Sequence, residues 1–422
     1  MTRQGPLRAL VSSYACGPHW GSEIGMGWGW VTALSAHVQL EVITEAGFRQ
    51  HIEPALASLD VPHPPRFHYV DIGAAARERI WTQGDWRFYA SYARWQRDAW
   101  QTALHLLAER PFDLVHQLNM IGYREPGYLW RLPDVPLVWG PVGGHSLFPW
   151  RFLPSLDARG MAYDTARNVL NLVQMRLSLR VRAMARRADA IVAATRADGE
   201  ALRRIHGVEP TVIEETGCHP LPSRPRPARE PGDDALHVAW VGNQQPRKAL
   251  PLALRAVAAA SRQAPVRLDV FGLRDEHAAR HRPLVASLGL DDRACRFRGL
   301  VPHDQLVAEL AAADVLLFPS LVEGTPHVVL EALGVGTPVL CHDLGGHGVA
   351  ITEACGIKIP ARSPADSVAA FARALVDLHR DPEHRRRLSD GALARAAELT
   401  WARKAEMMLE VYHHALSGAR HP

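Results

Sequence analysis

The sequence predicts an α/β protein made of two doubly wound domains, each with a parallel sheet between helices. Two observations lead to this prediction. Apolar segments with strand character alternate with amphipathic helical segments along the 422 residues, and a proline-rich segment divides this alternation into two halves. A chain of this length also exceeds what one hydrophobic core usually serves. The content of 47% hydrophobic and 22% charged residues is ordinary for a globular protein.

The first half opens with a strand, a glycine-rich loop and a helix. Leu7–Tyr14 predicts the strand, Val31–His37 the helix and Leu40–Thr44 the next strand. The loop contains the string GSEIGMGW, which begins at Gly21, but position 30 is Trp30 and its glycines therefore do not form a G-x-G-x-x-G dinucleotide motif. A Gly-Ser turn between a strand and a helix can still bring backbone amides close to a phosphate. A tight turn that needs glycine only for its geometry is the alternative.

Aromatic residues crowd the segment from Trp81 to Trp100. Phe88, Tyr92 and Trp95 are spaced i, i+4 and i+7, which predicts a helix face that packs into the core. Stacking of these rings on a sugar acceptor is the alternative.

A histidine follows the later strands of this half. Phe112–Leu118 and Val135–Trp139 are predicted strands, and the second ends in the loop Gly140–Ser146, which contains His145. Open α/β sheets bind ligands at the carboxyl ends of their parallel strands, so His145 is a candidate site residue. A surface loop histidine without a role is the alternative.

The segment Val173–Arg187 carries five arginines among apolar residues. This pattern favours a helix with one packed face and one solvated face. Contact of a basic amphipathic helix with an anionic membrane is the alternative, and a lipid-linked acceptor would make such contact useful. Ala188–Thr195 predicts the next strand.

A proline-rich segment divides the chain. His219–Gly232 contains five prolines and little apolar material, which predicts a linker between a first domain at residues 1–218 and a second at residues 233–400. Beyond the linker, predicted strands and helices alternate again at residues 236–241, 250–263, 266–271, 275–288, 295–298, 304–312, 356–359 and 364–379.

The stretch Phe318–Pro338 contains a helix that follows a buried strand. Thr325 is expected to cap this helix and Pro326 to occupy its first position. Two carboxylates flank the start, Glu323 before it and Glu331 after it, with seven residues between them. A helix N-terminus attracts anions, because its first amides are unpaired and its dipole is positive there. Acids around such a site indicate a ligand with both phosphates and hydroxyls, such as a nucleotide sugar.

A second loop supplies cations. Val241–Ala249 follows the first strand of the second half and contains Gly242, Arg247 and Lys248. A glycine turn followed by paired cations before a helix suits a diphosphate, because arginine can bind two of its oxygens at once. The solvated start of a helix is the alternative.

Taken together, these motifs resemble glycosyltransferase family 4, a family of retaining enzymes. The resemblance rests on the E-x7-E spacing and on the flanking strings EG-x-P and LEA-x-x-x-G-x-PV, while GSE-x-G-x-GW resembles one branch of the family. It implies the GT-B fold, in which two Rossmann-like domains face each other across a cleft. A terminal helix, within residues 401–422, would cross back to the first domain.

The resemblance also implies roles for individual residues. Glu331 would accept hydrogen bonds from the ribose, and Glu323 would face the transferred sugar. Lys248 matches the family's lysine for the donor phosphates, whereas Asn243 stands where the family has an arginine, so that Arg247 is the expected substitute. The other donor-side positions are Gly242, Leu300, Thr325, Pro326, His327 and Val328. Of these, Leu300 belongs to the segment whose family counterpart lies beside the nucleobase, and the amides at the helix start would contact sugar or phosphate.

In the first half, His145 matches the active-site histidine of the family. It completes a predicted catalytic set with Glu323 and Lys248. The candidates for contact with donor or acceptor in this half are Gly21, Ser22 and Glu23.

The implied reaction is retaining transfer of a hexose from a nucleotide diphosphate sugar, by default UDP or GDP hexose, to a hydroxyl acceptor. A glycan, a lipid-linked sugar and a small metabolite remain open as acceptors. The sequence has no Asp-x-Asp motif, so we expect neither a metal ion nor a cofactor. A nucleotide-sugar epimerase of the same fold and a non-catalytic nucleotide-sugar binding subunit are the alternatives, and a dehydrogenase is disfavoured because the glycine motif is missing.

The overall composition limits which classes of partner and which cellular compartment we expect. The formal charge of +4 gives no indication of a nucleic-acid partner. Five scattered cysteines without C-x-x-C spacing predict a reducing compartment and no zinc site. No apolar run reaches the roughly 20 residues that a membrane span needs. We therefore expect a cytoplasmic protein, with peripheral contact at the inner face of the membrane as an alternative. The oligomeric state is not predicted.

Overall fold

The computed structural model describes residues 5–79, 86–120, 122–219 and 233–418. The chain divides into two compact units. Unit 1 comprises Met1–His145, Leu172–Gly217 and Trp401–Pro422, and unit 2 comprises Ser146–Asn171 and Cys218–Thr400. Most of the linker predicted at His219–Gly232 lies outside the described residues, as does Trp81 of the aromatic segment.

Strands and helices alternate along most of the chain. The strands are β1 (Leu7–Ser13), β2 (Val38–Glu45), β3 (Arg66–Val70), β4 (Leu114–Asn119), β5 (Leu137–Val142), β6 (Ala190–Ala193), β7 (Thr211–Val212), β8 (Leu236–Val241), β9 (Val266–Phe271), β10 (Cys295–Gly299), β11 (Val315–Phe318), β12 (Val339–His342) and β13 (Gly356–Ile359). The helices are α1 (Ser22–Leu34), α2 (Arg49–Leu56), α3 (Ala74–Arg77), α4 (Trp86–Glu109), α5 (Ala158–Leu177), α6 (Leu179–Arg187), α7 (Arg196–His206), α8 (Leu250–Ala260), α9 (Asp275–Ser287), α10 (His303–Ala312), α11 (His327–Gly334), α12 (Gly345–Ala350), α13 (Pro364–Arg380), α14 (Pro382–Glu398) and α15 (Trp401–Leu416).

Each unit contains one parallel sheet. The strand order is β3-β2-β1-β4-β5-β6-β7 in unit 1 and β10-β9-β8-β11-β12-β13 in unit 2. In both sheets the chain starts in the middle, winds to one edge and then returns to build the other side, which is the doubly wound pattern. The prediction of two parallel α/β domains is confirmed. Ligands are expected at the carboxyl ends of the strands where the winding reverses, next to β1 in unit 1 and β8 in unit 2.

The C-terminal helix α15 packs into the core of unit 1. The ring of Trp401 lies edge-on to that of Trp30 on α1, with centroids 5.6 Å apart. A Cβ on Gly29 would lie 2.3 Å from the Trp401 ring, so only glycine allows this approach. Lys404 of α15 forms a buried ion pair with Glu214, 2.8 Å long. Residues 401–422 thus group with the first unit, although the chain immediately before them belongs to unit 2.

The observed boundaries differ from the predicted ones in one segment. The predicted first domain included residues 146–171, but their contacts assign them to unit 2. Phe148, Phe152 and Leu153 of this segment are buried in the unit 2 core with residues of β8 and α8. The sequence did not reveal this because the segment contains no linker signal of glycines or prolines like the one that begins at His219.

Two helix predictions need correction. The helix expected at Val31–His37 begins earlier, at Ser22, and the glycines assigned to a loop lie inside α1. Val173–Arg187 is not one helix, because Ser178 has an extended backbone, ends α5 and caps α6 with its hydroxyl. The expected packed face is present in α6, whereas Val173 and Leu177 near the end of α5 are exposed.

The aromatic stripe of the first half is a core feature, as predicted. Phe88, Tyr92 and Trp95 of α4 are each at most 3% exposed. Tyr14 at the end of β1 packs edge-on against Tyr92 and Trp95, with both centroid distances 4.8 Å. These rings are therefore committed to packing and are not a platform for a sugar.

Candidate active site

The centre of the candidate site in unit 2 is an ion triplet of two cations and one carboxylate. Oε1 of Glu323 lies 2.6 Å from Nη1 of Arg247 and 2.6 Å from Nζ of Lys248. The carboxylate follows β11, and the cations follow β8, which is the neighbouring strand of the sheet. The three side chains thus meet because two adjacent parallel strands end at the same edge. The predicted proximity of the cationic loop and the acidic stretch is present in the structure.

Backbone contacts hold Arg247 in place. Its Nη1 donates to the carbonyl of Val322 at 2.8 Å, and its Nε donates to the side chain of Gln245 at 2.6 Å. The amide of Leu321 donates to the Arg247 carbonyl at 2.9 Å. The loop after β8 and the loop after β11 are therefore tied to each other by both the main chain and the side chain of one arginine.

Asn243 does not belong to this triplet. Its side chain is exposed, and its Oδ1 accepts a hydrogen bond from the amide of Gln245 at 3.1 Å, which closes an Asx turn. Asn243 thus shapes the loop that presents Arg247. Arg247, four residues later, is the arginine that contacts Glu323, so it stays the expected substitute for the family's arginine.

Lys248 lies in a low-dielectric environment. It is in a 3-10 turn, Pro246–Lys248, and its side chain is 14% exposed. Burial lowers the pKa of Lys248, and the nearby Glu323 carboxylate partly opposes this effect. A charge that is removed from water interacts more strongly with an ionic ligand, because there is less solvent to screen it.

The helix start at α11 differs by one residue from the prediction. Pro326, with ψ of 124°, is the residue before the helix, and His327 is the first helical residue. Thr325 is therefore not the cap, and Pro326 is not in the first turn, because its extended ψ keeps it outside the helix. The amide of Val329 donates to the Pro326 carbonyl at 3.0 Å. His327 and Val328 hold the first two amides, which have no intrahelical acceptor in a regular helix.

Glu331 lies on α11, one turn beyond its start. Its carboxylate forms a 3.0 Å contact with Nε2 of His303, the first residue of α10. His303 was not among the predicted site residues. Burial lowers the pKa of His327, whereas the Glu331 charge acts in the opposite direction. A carboxylate with an exposed histidine beside it is able to accept hydrogen bonds from hydroxyl groups.

The other two donor-side candidates lie at the ends of β8 and β10, which are separated by β9 in the sheet. Gly242 follows β8, and its carbonyl would be 2.6 Å from a Cβ on Gly272, so the two loops approach closely. Leu300 follows β10, and 64% of its surface is exposed. An exposed leucine at the carboxyl edge of the sheet offers an apolar contact for a planar ring.

A glycine pair supports Glu323, and the sequence interpretation missed it. The amide of Gly346 donates to the carbonyl of Gly324 at 3.1 Å. A Cβ on Gly345 would lie 2.4 Å from the Glu323 carbonyl, and one on Gly346 would lie 2.4 Å from the Gly324 carbonyl. The start of α12 therefore packs against the loop that holds the carboxylate. The available signal was a Gly-Gly pair just after an apolar strand.

In unit 1, the predicted GSE string forms the start of α1, after β1. Gly21 precedes the helix and has an extended backbone, and a Cβ there would meet nothing within 4 Å. Ser22 has a φ of 54°, which is the left-handed region that non-glycine residues rarely adopt. Glu23 lies in the first helical turn. Backbone strain of this kind is often found at ligand sites, which keeps the string as a candidate.

His145 is buried, so its interpretation as a surface loop histidine is wrong. Its ring stacks on Tyr123 with a centroid distance of 4.3 Å. Its Nδ1 lies 3.2 Å from Oδ1 of Asp198, and its backbone amide donates to the same oxygen at 2.9 Å. Among the residues that the structure describes, Nε2 of this ring has no hydrogen-bond partner. A buried, oriented imidazole with one unused nitrogen is able to bind or transfer a proton.

Asp198 is the residue of this group that sequence reasoning missed. It is 1% exposed and lies in the first turn of α7, where its amide donates to the capping hydroxyl of Thr195. The string T-x-x-D at a helix start was a visible signal for a cap, but not for the contact with His145, which is 53 residues away along the chain.

Within the described ranges, no group of three or more His, Cys, Asp or Glu side chains is arranged to hold a metal ion. A search for long apolar helices over the same residues found none suited to crossing a membrane.

Comparison with known proteins identifies the family. A family model described as glycosyl transferases group 1 matches residues 235–381. A protein from Kineococcus radiotolerans named D-inositol 3-phosphate glycosyltransferase is 31% identical over 341 residues, which is 73% of this chain and 73% of that protein. A protein of the same name from Streptomyces bingchenggensis is 32% identical over 252 residues, or 55% of this chain. That match spans about half of the relative's length, 54%.

The family model and the relatives define a glycosyltransferase, and the two parallel-sheet units are those of the GT-B fold. The chain belongs to the group 1 glycosyltransferases, of the family 4 type, and the predicted family and enzyme class are confirmed.

Solved structures show the same fold. Sucrose-phosphate synthase from Thermosynechococcus elongatus has a TM-score of 0.63 and 19% identity, with 98% of this chain and 100% of that one covered. Alr3699/HepE from Anabaena, in complex with UDP-glucose, has a TM-score of 0.56 and 14% identity, with coverage of 96% and 98%. At these identities the likeness concerns the fold alone.

Proposed function

We propose that this protein is a retaining glycosyltransferase that transfers a hexose from a nucleoside diphosphate sugar to a hydroxyl group. The observation that carries the proposal is the triplet of Arg247, Lys248 and Glu323 beside the start of α11. Two cations and a helix N-terminus suit the diphosphate of a donor, and carboxylates suit the hydroxyls of its sugars.

The chemistry follows from where charge develops. Cleavage of the bond between the anomeric carbon and the diphosphate leaves positive charge on the sugar and negative charge on the leaving phosphate. Arg247, Lys248 and the amides of His327 and Val328 supply a preorganised positive field for that anion. Glu323 contacts both cations, and the phosphate oxygens of a donor would take over part of that contact. Because these groups already supply positive charge, we propose that the reaction needs no metal ion.

Three proposals concern substrates and compartment. UDP-hexose is the first donor to test, because HepE, which has the same fold, was solved with UDP-glucose. D-inositol 3-phosphate, which the names of the relatives contain, is the first acceptor to test. All five cysteines are free and buried, which supports a reducing compartment such as the cytoplasm.

A donor panel tests the proposal. The purified chain is incubated with UDP- and GDP-hexoses and with D-inositol 3-phosphate as the acceptor, with and without a chelator, and release of nucleoside diphosphate is measured. We expect release with one donor class, undiminished by the chelator, and NMR of the product should show the donor's anomeric configuration. Conversion of a donor to its epimer without an acceptor would instead support the epimerase. Tight binding of a donor without transfer of its sugar to any acceptor or to water would instead support the non-catalytic nucleotide-sugar binding subunit.

Substitution of the triplet tests the site. Lys248→Ala and Glu323→Ala should each lower kcat by about 100-fold to 1000-fold, the effect of losing an electrostatic group at a developing charge. The matched control is Glu383→Ala, which removes an exposed carboxylate of α14 that also pairs with an arginine. Near-normal turnover in both site variants would contradict the assignment, and loss of activity in the control would show that the effect is not specific.

A further inference from the structure

Helix α5 is amphipathic in the reverse of the usual sense. Residues spaced i, i+4, i+7 and i+11 form its buried face, and three of the four are polar: Asp164, Asn168, Asn171 and Met175. The exposed face carries apolar residues at i, i+7, i+10 and i+14: Tyr163 (65% exposed), Leu170 (58%), Val173 (47%) and Leu177 (68%). A surface helix of a globular protein normally has the opposite arrangement.

Specific hydrogen bonds fix this orientation. The side chain of Asn168 accepts from the Phe148 amide at 3.0 Å and donates to the Phe148 carbonyl at 2.8 Å. Asp164, on the same face, pairs with Arg167 at 3.7 Å. Rotation of the helix to bury its apolar residues would break the two bonds of Asn168 and leave buried polar groups unpaired, which is costly. The exposed apolar face is therefore a stable feature of the fold.

Two further apolar residues are exposed beside this face. Val169 lies within α5 and is 49% exposed, and Leu179 follows the end of α5 and is 75% exposed. We call the six residues the α5 stripe: Tyr163, Val169, Leu170, Val173, Leu177 and Leu179. An apolar patch of this kind on a soluble protein usually marks a surface that contacts another molecule.

The charge around the stripe identifies the kind of partner. Residues 158–187 contain seven arginines and a single acidic residue, Asp164. Arg159, Arg176 and Arg182 are exposed on or beside α5. Association with a second copy of this chain would bring two such rows of like charge together. A partner with negative charge at its surface and an apolar layer below that surface would match both the arginines and the apolar side chains of the α5 stripe.

We propose that the α5 stripe is a docking surface for an anionic lipid bilayer. The apolar side chains would enter the boundary between headgroups and acyl chains, while the arginines contact anionic headgroups. This inference does not depend on the proposed reaction, because it rests on the exposure and charge of α5 and uses no residue of the ion triplet.

Vesicle flotation of the full chain tests the inference. Wild-type protein should float with vesicles of phosphatidylcholine that contain about one third phosphatidylglycerol, and far less with pure phosphatidylcholine. The variant Leu170→Glu with Leu177→Glu should reduce the vesicle-bound fraction by about tenfold or more, because two charges replace leucines that would be buried in the bilayer. Both positions are exposed, so the variant should melt at the wild-type temperature and release nucleoside diphosphate from a soluble donor at the wild-type rate.

The matched control is Leu393→Glu, which changes an exposed leucine of α14 (50% exposed) outside the stripe. This variant should float like the wild type. Equal flotation of the wild type and the stripe variant would overturn the proposal, as would failure of the wild type to bind anionic vesicles. Light scattering that shows a dimer converted to a monomer by the stripe variant, without any vesicle binding, would assign the stripe to a second copy and also overturn it.

Discussion

At the scale of single residues, the site depends on which cation replaces the family arginine. Asn243 occupies that position in the sequence, but its side chain closes a turn and takes no part in the ion triplet. Arg247 contacts Glu323 and is anchored to the carbonyl of Val322. The sequence alone made Arg247 the expected substitute. It could not show that Glu323 bridges both cations, because that contact depends on how two loops meet.

Replacement of these two residues is therefore expected to lower kcat to different extents. Arg247→Ala should lower kcat by about 100-fold or more, since it removes a charge at the leaving phosphate. Asn243→Ala should lower it by less than about tenfold, because it loses only an exposed turn contact. Steady-state kinetics with the active donor measures both. A larger loss for Asn243→Ala than for Arg247→Ala would reverse the assignment of the phosphate-binding residue.

Asp198 is expected to act through His145. Its carboxylate lies beside Nδ1 of that ring, which leaves Nε2 available for the substrate. Asp198→Asn should lower kcat by at least about tenfold, which corresponds to about 1.4 kcal/mol of activation free energy. In a chain that already carries His145→Ala, the same change should have little further effect, because the two residues would act as a unit.

Ser178→Ala is the matched control for Asp198. It removes the hydroxyl that caps α6 and should cost about 1 kcal/mol of stability, but it leaves the Asp198 carboxylate and its contact with His145 in place. Thermal melting and kcat are measured for both variants. An additive loss of kcat in the double variant of Asp198 and His145 would mean that Asp198 acts only on folding.

At the scale of elements, the sequence predicted most of unit 2 closely. The strands β8, β9 and β13 have the predicted bounds, and α15 of unit 1 lies within the predicted residues 401–422. These segments have clear apolar periodicity and are flanked by turn residues, so local pattern and final fold agree. Helices α12 and α14 carry no comparable signal, since the first is short and glycine-rich and the second is strongly charged.

Helix α1 shows why some local signals mislead. Its glycines resemble a loop, yet a Cβ on Gly25 would lie 1.9 Å from the Trp20 carbonyl. Gly29 is likewise required by the ring of Trp401. The glycines serve close packing, against Trp20 nearby and against Trp401 far along the chain, and a sequence cannot distinguish that use from turn geometry. The same limit applies to α5, whose buried face is set by tertiary hydrogen bonds.

The short helix α12 should control the position of Glu323. Gly346→Ala should reduce both activity and stability, because its Cβ would lie 2.4 Å from the Gly324 carbonyl. Overpacking of this kind costs about 1–3 kcal/mol. Gly199→Ala in α7 is the control, as its Cβ would make ordinary contacts at 3.5 Å or more. Thermal melting should separate the two variants, and equal stability would show that α12 shifts to accommodate the methyl group.

At the scale of the whole molecule, buried histidines make stability depend on pH. Burial lowers the pKa of His116 and His342 to about 4 and that of His347 to about 3, from an ordinary value of 6.5. His116 connects two elements of unit 1, since Nε2 donates to the Gly140 carbonyl and Nδ1 faces the hydroxyl of Tyr412 on α15. These rings are therefore neutral in the folded protein.

The direction of the pH effect follows from proton binding. Below about pH 6.5 the unfolded chain protonates these histidines, whereas the folded protein does not until about pH 4. The free energy of unfolding should therefore fall as the pH decreases through this range, by up to about 1.4 kcal/mol per pH unit for each ring. Urea unfolding at several pH values measures the slope. His116→Gln should make it shallower, and an unchanged slope would exclude His116 as a contributor.

The division of the chain has a consequence for synthesis. Unit 2 is complete once Thr400 has been made, because all of its segments precede that residue. The sheet of unit 1 precedes that of unit 2 along the chain, yet the core of unit 1 lacks Trp401 and the partner of Glu214 until residues 401–416 have been made. The sheet that is made earlier is thus completed later, and until then α15 does not cover the faces of α1 and β6 against which it packs.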